Sequence, residues 1–364
     1  MQLLTRLDRY IISKFLGTYF FALMLIIGIA VVFDYNENID KLTQSHAPWS
    51  AIIFDYYLNF IPFYCNLFSP LFVFIAVIFF TSTLAGNSEI IAMLAAGMSF
   101  RRLMRPYMIS ASIIALITFF FGGYIIPKGS ITRLDFETQY KRRRVVEMAE
   151  NLQLHVRPDV VAYIERFDIP RKTGYHFSLD RFEGKRLVSH LTAPVITYDT
   201  LADERYHWIV QNYTQRDFVD NREVITRGTR MDTLLTMEPT DFVKNEYQEQ
   251  TLTNPEMEEY IEKQKARGSN FVTYFEVEYH KRIAAPFAAF VLTTIGASLS
   301  SRKRKGGMGI ALGIGLALSA MYILAQSITS MFAINAGAPA WFAVWIPNII
   351  FAAIAAWLYT KAPR

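Results

Sequence analysis

The sequence of 364 residues is poor in charge and in cysteine. Only 19% of its residues are Asp, Glu, Lys or Arg, against roughly 25% in an average soluble domain. The deficit is local: residues 127–282 carry 24 basic and 26 acidic side chains, whereas the other 208 residues carry 13 and 6. The single cysteine, Cys65, excludes an internal disulfide framework. This distribution excludes one soluble globule or a disordered chain, and it indicates two membrane regions around a polar domain.

Sequence motifs for common catalytic chemistry are missing as well. The sequence contains no phosphate-binding G-x-x-x-x-G-K-[ST], no H-E-x-x-H zinc motif and no G-x-S-x-G nucleophile motif. The long apolar runs hold no Asp, Glu, Lys or Arg, the usual intramembrane groups for catalysis or proton transfer. We therefore predict no enzyme activity, no metal site and no bound cofactor, and we disfavour an intramembrane hydrolase. Nucleic-acid binding is also excluded, because the membrane regions supply +7 of the net charge and the polar domain −2.

Five stretches without charged side chains are long enough to cross a bilayer, whose apolar core needs about 20 helical residues. They cover residues 15–33, 56–88, 106–127, 283–301 and 306–360. The last one is too long for one helix and is interrupted by a turn-like segment at 335–339, so it predicts two spans and six in all. The second should kink at Pro62 or Pro70, tilt, or extend beyond the lipid. The first is too long for a typical signal peptide and is expected to remain in the protein.

Basic residues in short loops favour the cytoplasmic side of a membrane. With the amino terminus inside, the two short outer loops contain only Lys41. The inner segments then contain Arg6, Arg9, Lys14, Arg101, Arg102, Arg105, the basic run 302–305, Lys361 and Arg364. Cations at Lys128, Arg133 and 141–144 oppose this orientation, but long domains are translocated largely regardless of charge. We expect both termini inside and the polar domain outside.

The polar domain alternates apolar and polar residues in short segments, which is typical of strands. The predicted strands cover 160–165, 175–182, 187–198, 207–213 and 223–229, with a hairpin turn at 180–186. Their even spacing predicts an antiparallel sandwich or jelly-roll with a core on one face. One helix should follow, beginning at Asn254-Pro255-Glu256, ending at Gly268, and carrying Met257, Tyr260 and Ile261 on one side. The predicted domains are 1–126, 127–270 and 271–364.

A short helix over about 88–98 is predicted between the second and third spans. Ser88 would cap it, Glu89 would lie in its first turn, and Gly97 would end it. Its predicted exposed side chains form an apolar ridge beside one carboxylate: Glu89, Ile90, Met93 and Leu94. Such a ridge suits a groove on a partner protein. Alternatively, the ridge lies on the membrane side.

Two other patterns have both a functional and a structural interpretation. Gly309, Gly313 and Ala317 form a small-residue stripe that permits close helix approach, either at a moving gate or in ordinary packing. The first span ends in Asp34, Glu37, Asp40 and Lys41, which either meet a lipid headgroup or face water.

Several short motifs occur in a characteristic order along the whole chain. They are Leu7-Asp8-Arg9-Tyr10-Ile11, Ser88-Glu89 with Gly97-Met98-Ser99, Pro127-Lys128-Gly129, Tyr163-Ile164-Glu165-Arg166, Lys281, Pro286 and Trp345-Ile346-Pro347-Asn348. Together with three spans on each side of a large domain, they resemble LptF and LptG, formerly YjgP and YjgQ. These proteins are the permease subunits of the lipopolysaccharide-export ABC transporter. The length and the motif at Leu7 favour the LptG type.

The resemblance implies a membrane α-helical fold, six helices in a 3+3 arrangement, with an inserted periplasmic β-jelly-roll. It implies a permease subunit in the bacterial inner membrane that extracts lipopolysaccharide and passes it to a periplasmic bridge for export to the outer membrane. The implied partners are a second, paralogous permease, a cytoplasmic ATPase dimer that binds the ATP, and a bitopic LptC-like protein. The alternative is a membrane-anchored periplasmic scaffold or sensor without transport activity.

The resemblance also implies roles for individual residues. The 88–98 helix would be the coupling helix that docks on the ATPase, through Glu89, Ile90, Met93, Leu94, Gly97 and Arg101. The first and fifth spans would line a lipid cavity and its gates, through Phe20, Phe21, Leu25, Gly309, Gly313, Leu316 and Tyr322. LptG-type members commonly carry a Lys near the outer end of the first span that meets lipid phosphates. Here Asp34 stands there and Lys41 is the nearest cation, which implies a lipid with fewer phosphates, a bridging cation, or cations from the partner permease.

Overall fold

The chain folds into two compact units in a computed structural model. The structure describes residues 5–141, 148–200, 206–219, 222–239, 248–266, 272–301 and 307–362. The membrane unit comprises Met1–Arg142, Glu249–Pro255 and Thr273–Arg364, and the β unit comprises Arg143–Gln248 and Glu256–Val272. The membrane unit is therefore assembled from three separate pieces of sequence.

Nine α-helices are found among the described residues. They are α1 (Arg6–Gln44), α2 (Leu58–Gly86), α3 (Glu89–Ala95), α4 (Phe100–Phe120), α5 (Ile126–Phe136), α6 (Asn254–Ala266), α7 (Val272–Ser300), α8 (Gly307–Ala336) and α9 (Ala340–Thr360). Short π-helical segments continue three of them: Ala51–Tyr57 leads into α2, while Phe121–Ile125 and Glu137–Lys141 flank α5. Within the described ranges, six continuous helical stretches are long and apolar enough to cross a membrane. They confirm the six predicted spans.

Three of the spanning stretches have 36 residues or more, against about 20 that a bilayer requires, and the longest is Phe100–Lys141 with 42 residues. Helix α1 has 39 residues, about 58 Å at 1.5 Å per residue, against an apolar core of roughly 30 Å. The continuous stretch Ala51–Gly86 has 36 residues and contains Pro62 and Pro70, and it begins five residues before the 33-residue charge-free run. All three stretches therefore carry polar side chains outside the lipid at one end or both.

Helix α2 occupies the centre of the membrane unit. On one side its Phe80 ring stacks on Phe15 of α1 and on Tyr107 of α4, with ring centroids 5.4 and 5.1 Å apart. On the other side its Phe74 and Ile78 belong to a buried cluster completed by Ala288, Leu292 and Ile295 of α7, Tyr322 of α8, and Phe351 and Ala355 of α9. Burial of large apolar side chains on both faces makes α2 the element that joins the two halves of the bundle.

Glycine allows α8 to approach α2 closely. A Cβ atom built on Gly315 of α8 would lie 2.2 Å from the Ile78 Cδ1 atom. Any larger residue at position 315 would push the helices apart or displace the buried Ile78 side chain.

The β unit contains a six-stranded antiparallel sheet. Its strands are β1 (Met148–Arg157), β2 (Val160–Asp168), β3 (Thr173–Glu183), β4 (Arg186–Tyr198), β5 (His207–Val219) and β6 (Arg222–Leu234). Each strand pairs with the next in the sequence, so the described strands form a meander. The predicted hairpin is confirmed between β3 and β4, where Glu183 pairs with Arg186 and Gly184 adopts a φ of 64°. All five predicted strands are present, and β1 was missed.

One face of the sheet carries the core of the β unit. Phe167, Phe177 and Trp208 are buried there, and Trp208 Nε1 donates a hydrogen bond to the Met237 carbonyl oxygen at 3.0 Å. Helix α6 begins at Asn254 as predicted, with Met257 and Ile261 buried and Tyr260 half-buried; its predicted end, Gly268, lies outside the described residues. The predicted fold class, six membrane helices with an inserted antiparallel β domain, is confirmed.

Candidate functional site

Helix α3 lies between α2 and α4, where the sequence predicted a coupling helix. It covers Glu89–Ala95 rather than 88–98, and Gly97 follows it with a φ of 84°, a conformation that ends a helix and favours glycine. The predicted cap at Ser88 is wrong: its side chain makes no capping hydrogen bond, and its backbone is left-handed with a φ of 66°. The turn before α3 is therefore set by the backbone and not by a side-chain cap.

Part of the apolar ridge that was predicted to be exposed on α3 is buried. Ile90 is fully buried in the same cluster as Leu84 and Phe100, and Met93 and Leu94 pack against that cluster. These three side chains anchor α3 to the membrane helices. Ile90 is therefore excluded as a direct contact to another protein.

The exposed surface of α3 consists of smaller and fewer apolar groups than predicted. Ile91, Ala92 and Ala95 are exposed, and Glu89 is half-exposed at their amino-terminal edge. We call these four residues the α3 face. It combines one large apolar side chain with one carboxylate on a short helix.

The Glu89 carboxylate is held by two neighbours. It accepts a hydrogen bond from the Tyr10 hydroxyl of α1 at 3.3 Å and one from Asn87 Nδ2 at 3.2 Å. Tyr10 thereby connects α3 to the start of α1. Helix α3 is therefore joined to α1 by this contact and by the buried cluster that contains Ile90 and Ile11.

An ion pair joins α1 to α4, the helix that follows α3, and the sequence did not predict it. Arg102 of α4 donates from both terminal nitrogens to the two Asp8 carboxylate oxygens, each at 2.6 Å. Thr5 donates its backbone N–H and its hydroxyl to the same carboxylate at 2.9 and 2.8 Å. The Asp8 side chain is 5% exposed and that of Arg102 29%. The partners are 94 residues apart, and the capping box formed by Thr5 and Asp8 was the only local signal.

Arg101 does not belong to the α3 face. It is exposed and lies on α4, in the wall of a groove formed by α4, α7 and α9. Arg105 lies one turn further along the same helix and lines the same groove. The structure therefore separates Arg101 from the other predicted coupling residues.

Helices α1 and α8 are the least buried of the six spanning helices. Both pack against α2, and each leaves a stripe of large apolar side chains exposed. The α1 stripe consists of Phe21, Leu25, Ile29 and Phe33, and the α8 stripe of Ile314, Met321, Leu324, Ile328 and Met331. The predicted cavity residues Phe20, Phe21, Leu25 and Leu316 are exposed on these two helices.

Small residues lie on the exposed side of α8. Gly309 and Gly313 are exposed, and a Cβ atom built on either would meet no atom of the described residues within 4 Å. Ala317 continues this line and is also exposed. Small residues that no described part of the chain packs against permit a second helix to approach closely.

Tyr322 is wrongly predicted as a lipid contact. Its side chain is 1% exposed, and its hydroxyl donates a hydrogen bond to Asn348 Oδ1 of α9 at 2.8 Å. Its ring packs edge-on against Phe351 with a centroid distance of 5.2 Å. Tyr322 therefore fastens α8 to α9 inside the bundle.

Asp34, predicted to meet a lipid headgroup, is occupied by residues of the chain. Its carboxylate accepts hydrogen bonds from the Tyr56 and Tyr57 hydroxyls at 3.0 and 3.1 Å, and Lys141 Nζ lies 3.4 Å away. Lys141 Nζ also lies 3.6 Å from the centre of the Tyr56 ring. The Asp34 side chain is 18% exposed and that of Lys141 10%, so this carboxylate serves as a structural hub. Lys41 is exposed on the same helix.

Two arginines hold the segment that returns the chain to the membrane unit. Arg282 of α7 donates to the Glu249 and Leu252 carbonyl oxygens, both at 2.6 Å. Arg133 of α5 donates to Gln250 Oε1 at 3.0 Å. Burial raises the pKa of the Glu249 carboxyl, and the Glu278 charge acts in the same direction.

The described residues bring no three His, Cys, Asp or Glu side chains together as a metal site. The main features of the described residues are instead the α3 face, the exposed apolar stripes of α1 and α8, and the polar contacts of Asp8 and Asp34 at the two ends of α1.

Comparison with known proteins agrees with this description. A family model for the lipopolysaccharide export system permease LptF/LptG matches residues 9–361. The chain is also 20% identical over 372 residues to the lipopolysaccharide export system permease protein LptG of Haemophilus influenzae, an alignment that covers 99% of each chain. The match runs from α1 to the end of α9 and includes α3 and the whole β unit. Because the match extends over nearly the whole chain, this multi-pass membrane protein belongs to the LptF/LptG family of lipopolysaccharide export system permeases.

Proposed function

We propose that the chain is a permease subunit of an ABC transporter that extracts lipopolysaccharide from the bacterial inner membrane and passes it to a periplasmic bridge. The observation that carries the proposal is the open α1 and α8 stripes on the two least buried spans. Both helices pack on α2, so a lipid held against both stripes would be enclosed only when a second protein covers them. A paralogous permease supplies that second wall.

The small residues of α8 support the same arrangement. Gly309, Gly313 and Ala317 leave room for a close helix contact, which the described chain itself does not use. We infer that α8 forms one side of a gate with a helix of the partner permease, and that Phe20, Phe21, Leu25 and Leu316 contact acyl chains.

The α3 face is proposed as the contact to a cytoplasmic ATPase dimer. Ile91, Ala92 and Ala95 would enter a shallow groove on the ATPase, with Glu89 at its edge. Closure of the ATPases around nucleotide would press on α3, and Ile90 and Tyr10 would pass the displacement to the membrane helices. The nucleotide stays on the partner, and this subunit supplies no catalytic residue.

The orientation follows from the same contact. With α3 in the cytoplasm, Arg6, Arg9, Arg101 and Arg105 are cytoplasmic, in agreement with the distribution of basic residues in short loops. The termini are then cytoplasmic and the β unit is periplasmic, where it would meet a bitopic LptC-like partner. The proposed domains remain 1–126, 127–270 and 271–364, and the LptG type is favoured.

Headgroup recognition is proposed to rely on Lys41 and on the partner permease. Asp34 is engaged by Tyr56, Tyr57 and Lys141, whereas Lys41 is exposed at the same end of α1. A lipid phosphate would therefore meet Lys41 and not the Asp34 carboxylate.

The test is charge reversal at Glu89 in the purified complex with its ATPase and second permease, reconstituted in proteoliposomes. We expect Glu89→Lys to retain ATP hydrolysis and to lose lipopolysaccharide release, because the chemistry stays in the partner while the coupling is broken. Asn87→Ala is the matched control: it removes the hydrogen bond from Asn87 Nδ2 to the Glu89 carboxylate without changing the charge of the α3 face or the Tyr10 contact, and it should retain release.

Two outcomes would contradict the proposal. Normal release by Glu89→Lys would exclude the α3 face as the coupling contact. Purification of the wild-type chain without a nucleotide-binding partner would favour the alternative, a membrane-anchored periplasmic scaffold or sensor.

A further inference from the structure

The groove between α4, α7 and α9 is lined by residues of these three helices and by none of the α1 or α8 stripes. It has a volume of about 510 Å³. Its walls include Arg101, Met104, Arg105 and Met108 of α4, Thr294 of α7 and Tyr359 of α9. A volume of this size accommodates the headgroup and the first acyl carbons of one membrane lipid.

The α4 wall of the groove is positively charged at one end and apolar at the other. Arg101 and Arg105 are one helical turn apart, and Met108 and Ile109 follow on the next turn of the same face. The charge-free run of this span begins at Pro106, directly after Arg105. The two cations therefore lie at headgroup level and the apolar side chains lie at acyl-chain level.

The two arginines of the groove are not neutralised by the described part of the chain. Arg102, between them, is paired with Asp8 and faces α1. Within the described ranges no acidic side chain forms an ion pair with Arg101 or Arg105, and both are exposed. The groove thus presents two adjacent positive charges above an apolar wall, which is complementary to an anionic amphiphile.

We propose that this groove binds one anionic phospholipid of the adjacent leaflet, which is the cytoplasmic leaflet in the orientation proposed above. The lipid phosphate lies between Arg101 and Arg105, the Tyr359 hydroxyl lies at the same headgroup level, and one acyl chain follows Met108 and Ile109. The bound lipid joins α4 of the amino-terminal half to α7 and α9 of the carboxy-terminal half. It is a resident lipid on a surface separate from the transport stripes.

The test is titration of the delipidated chain, followed by native mass spectrometry, with phosphatidylglycerol and with phosphatidylcholine of identical acyl chains. Since a basic residue near an anionic lipid contributes about a fivefold change in affinity, we expect the double variant R101Q/R105Q to bind phosphatidylglycerol about 25-fold more weakly. Its phosphatidylcholine binding should be unchanged. The control R6Q/R9Q removes two exposed arginines of α1 at the same end of the bundle, and it should stay within twofold of wild type.

A second pair of variants tests the apolar wall. Ile109→Trp fills the groove and should weaken the binding of both lipids. Leu116→Trp, at an exposed position of α4 two turns further on and outside the groove, should not.

Three results would overturn the proposal. One is equal loss of phosphatidylglycerol binding in R101Q/R105Q and R6Q/R9Q, because the effect would then be general surface charge. Another is the absence of any preference for phosphatidylglycerol in the wild type. The third is displacement of the phospholipid by stoichiometric lipopolysaccharide at this groove, which would make the groove part of the transport route.

Discussion

Removing either partner of the ion pair between Asp8 and Arg102 should lower the free energy of unfolding, but by unequal amounts. Asp8 is almost completely buried, whereas Arg102 keeps 29% of its side chain exposed. Removing the arginine strands a buried carboxylate, while removing the carboxylate leaves a cation that can still reach water. Arg102→Gln should therefore cost more stability than Asp8→Asn, although each variant deletes the same interaction.

The geometry sets the expected magnitudes. Breaking a fully buried ion pair by removing one partner costs about 3–5 kcal/mol. Thr5 still donates two hydrogen bonds to the stranded carboxylate, so we expect about 3 kcal/mol for Arg102→Gln. Asp8→Asn keeps an oxygen that can accept from Thr5, and we expect about 1 kcal/mol. Arg102→Lys retains the charge but loses the two parallel bonds, and should cost about 1–2 kcal/mol.

The assay is equilibrium unfolding in mixed micelles of a mild detergent and dodecyl sulfate. The double variant Asp8→Asn with Arg102→Gln can form a neutral hydrogen bond in place of the ion pair. We therefore expect the double variant to be more stable than the sum of the single effects predicts, with a coupling energy of at least about 1.5 kcal/mol. Equal costs for the two single variants, or a coupling energy below about 0.5 kcal/mol, would refute the reasoning.

Two further predictions concern packing and pH. Gly315→Ala should lower the melting temperature, because its Cβ would lie 2.2 Å from a buried side-chain atom and overpacking costs about 1–3 kcal/mol. Gly313→Ala, with open space around it, should leave the melting temperature unchanged or raise it through helix propensity. If both variants lowered the melting temperature, or both raised it, the packing description would be contradicted. Glu249 has a pKa raised by burial, so the folded chain holds its proton more tightly than the unfolded chain. The stabilisation is complete below the unfolded pKa of about 4.5 and is lost as pH rises through the folded pKa. The melting temperature of Glu249→Gln minus that of wild type should therefore increase from about pH 4 to pH 8, and a constant difference would exclude this titration.

The spans and most strands could be predicted because their signals are local. A run of about 20 residues without charge has few alternatives to a membrane helix, and alternation of apolar and polar residues fixes which face of a strand is buried. Strand β1 was missed, although Leu152, Leu154 and Val156 alternate with polar residues in the same way.

The side-chain contacts of the candidate site could not be predicted, because their partners are distant in sequence. A helix of seven residues has too few turns to show which face is buried, so Ile90 was placed on the outside although α2 and α4 cover it. Asp34 finds Tyr56, Tyr57 and Lys141 at separations of 22, 23 and 107 residues. Its acidic character suggested a headgroup contact only because those partners were unknown.

The meander of the β unit bears on how this chain is made. Each of its strands pairs only with its neighbour in sequence, so the sheet has short loops to close and a low contact order for a β structure. Such a sheet can grow hairpin by hairpin as the polypeptide is synthesised, before α7 to α9 exist. The membrane unit, in contrast, needs residues from both ends of the chain. The bundle can therefore be completed only after the residues of the sheet have been synthesised, and a chain arrested before α7 lacks the residues that close the bundle.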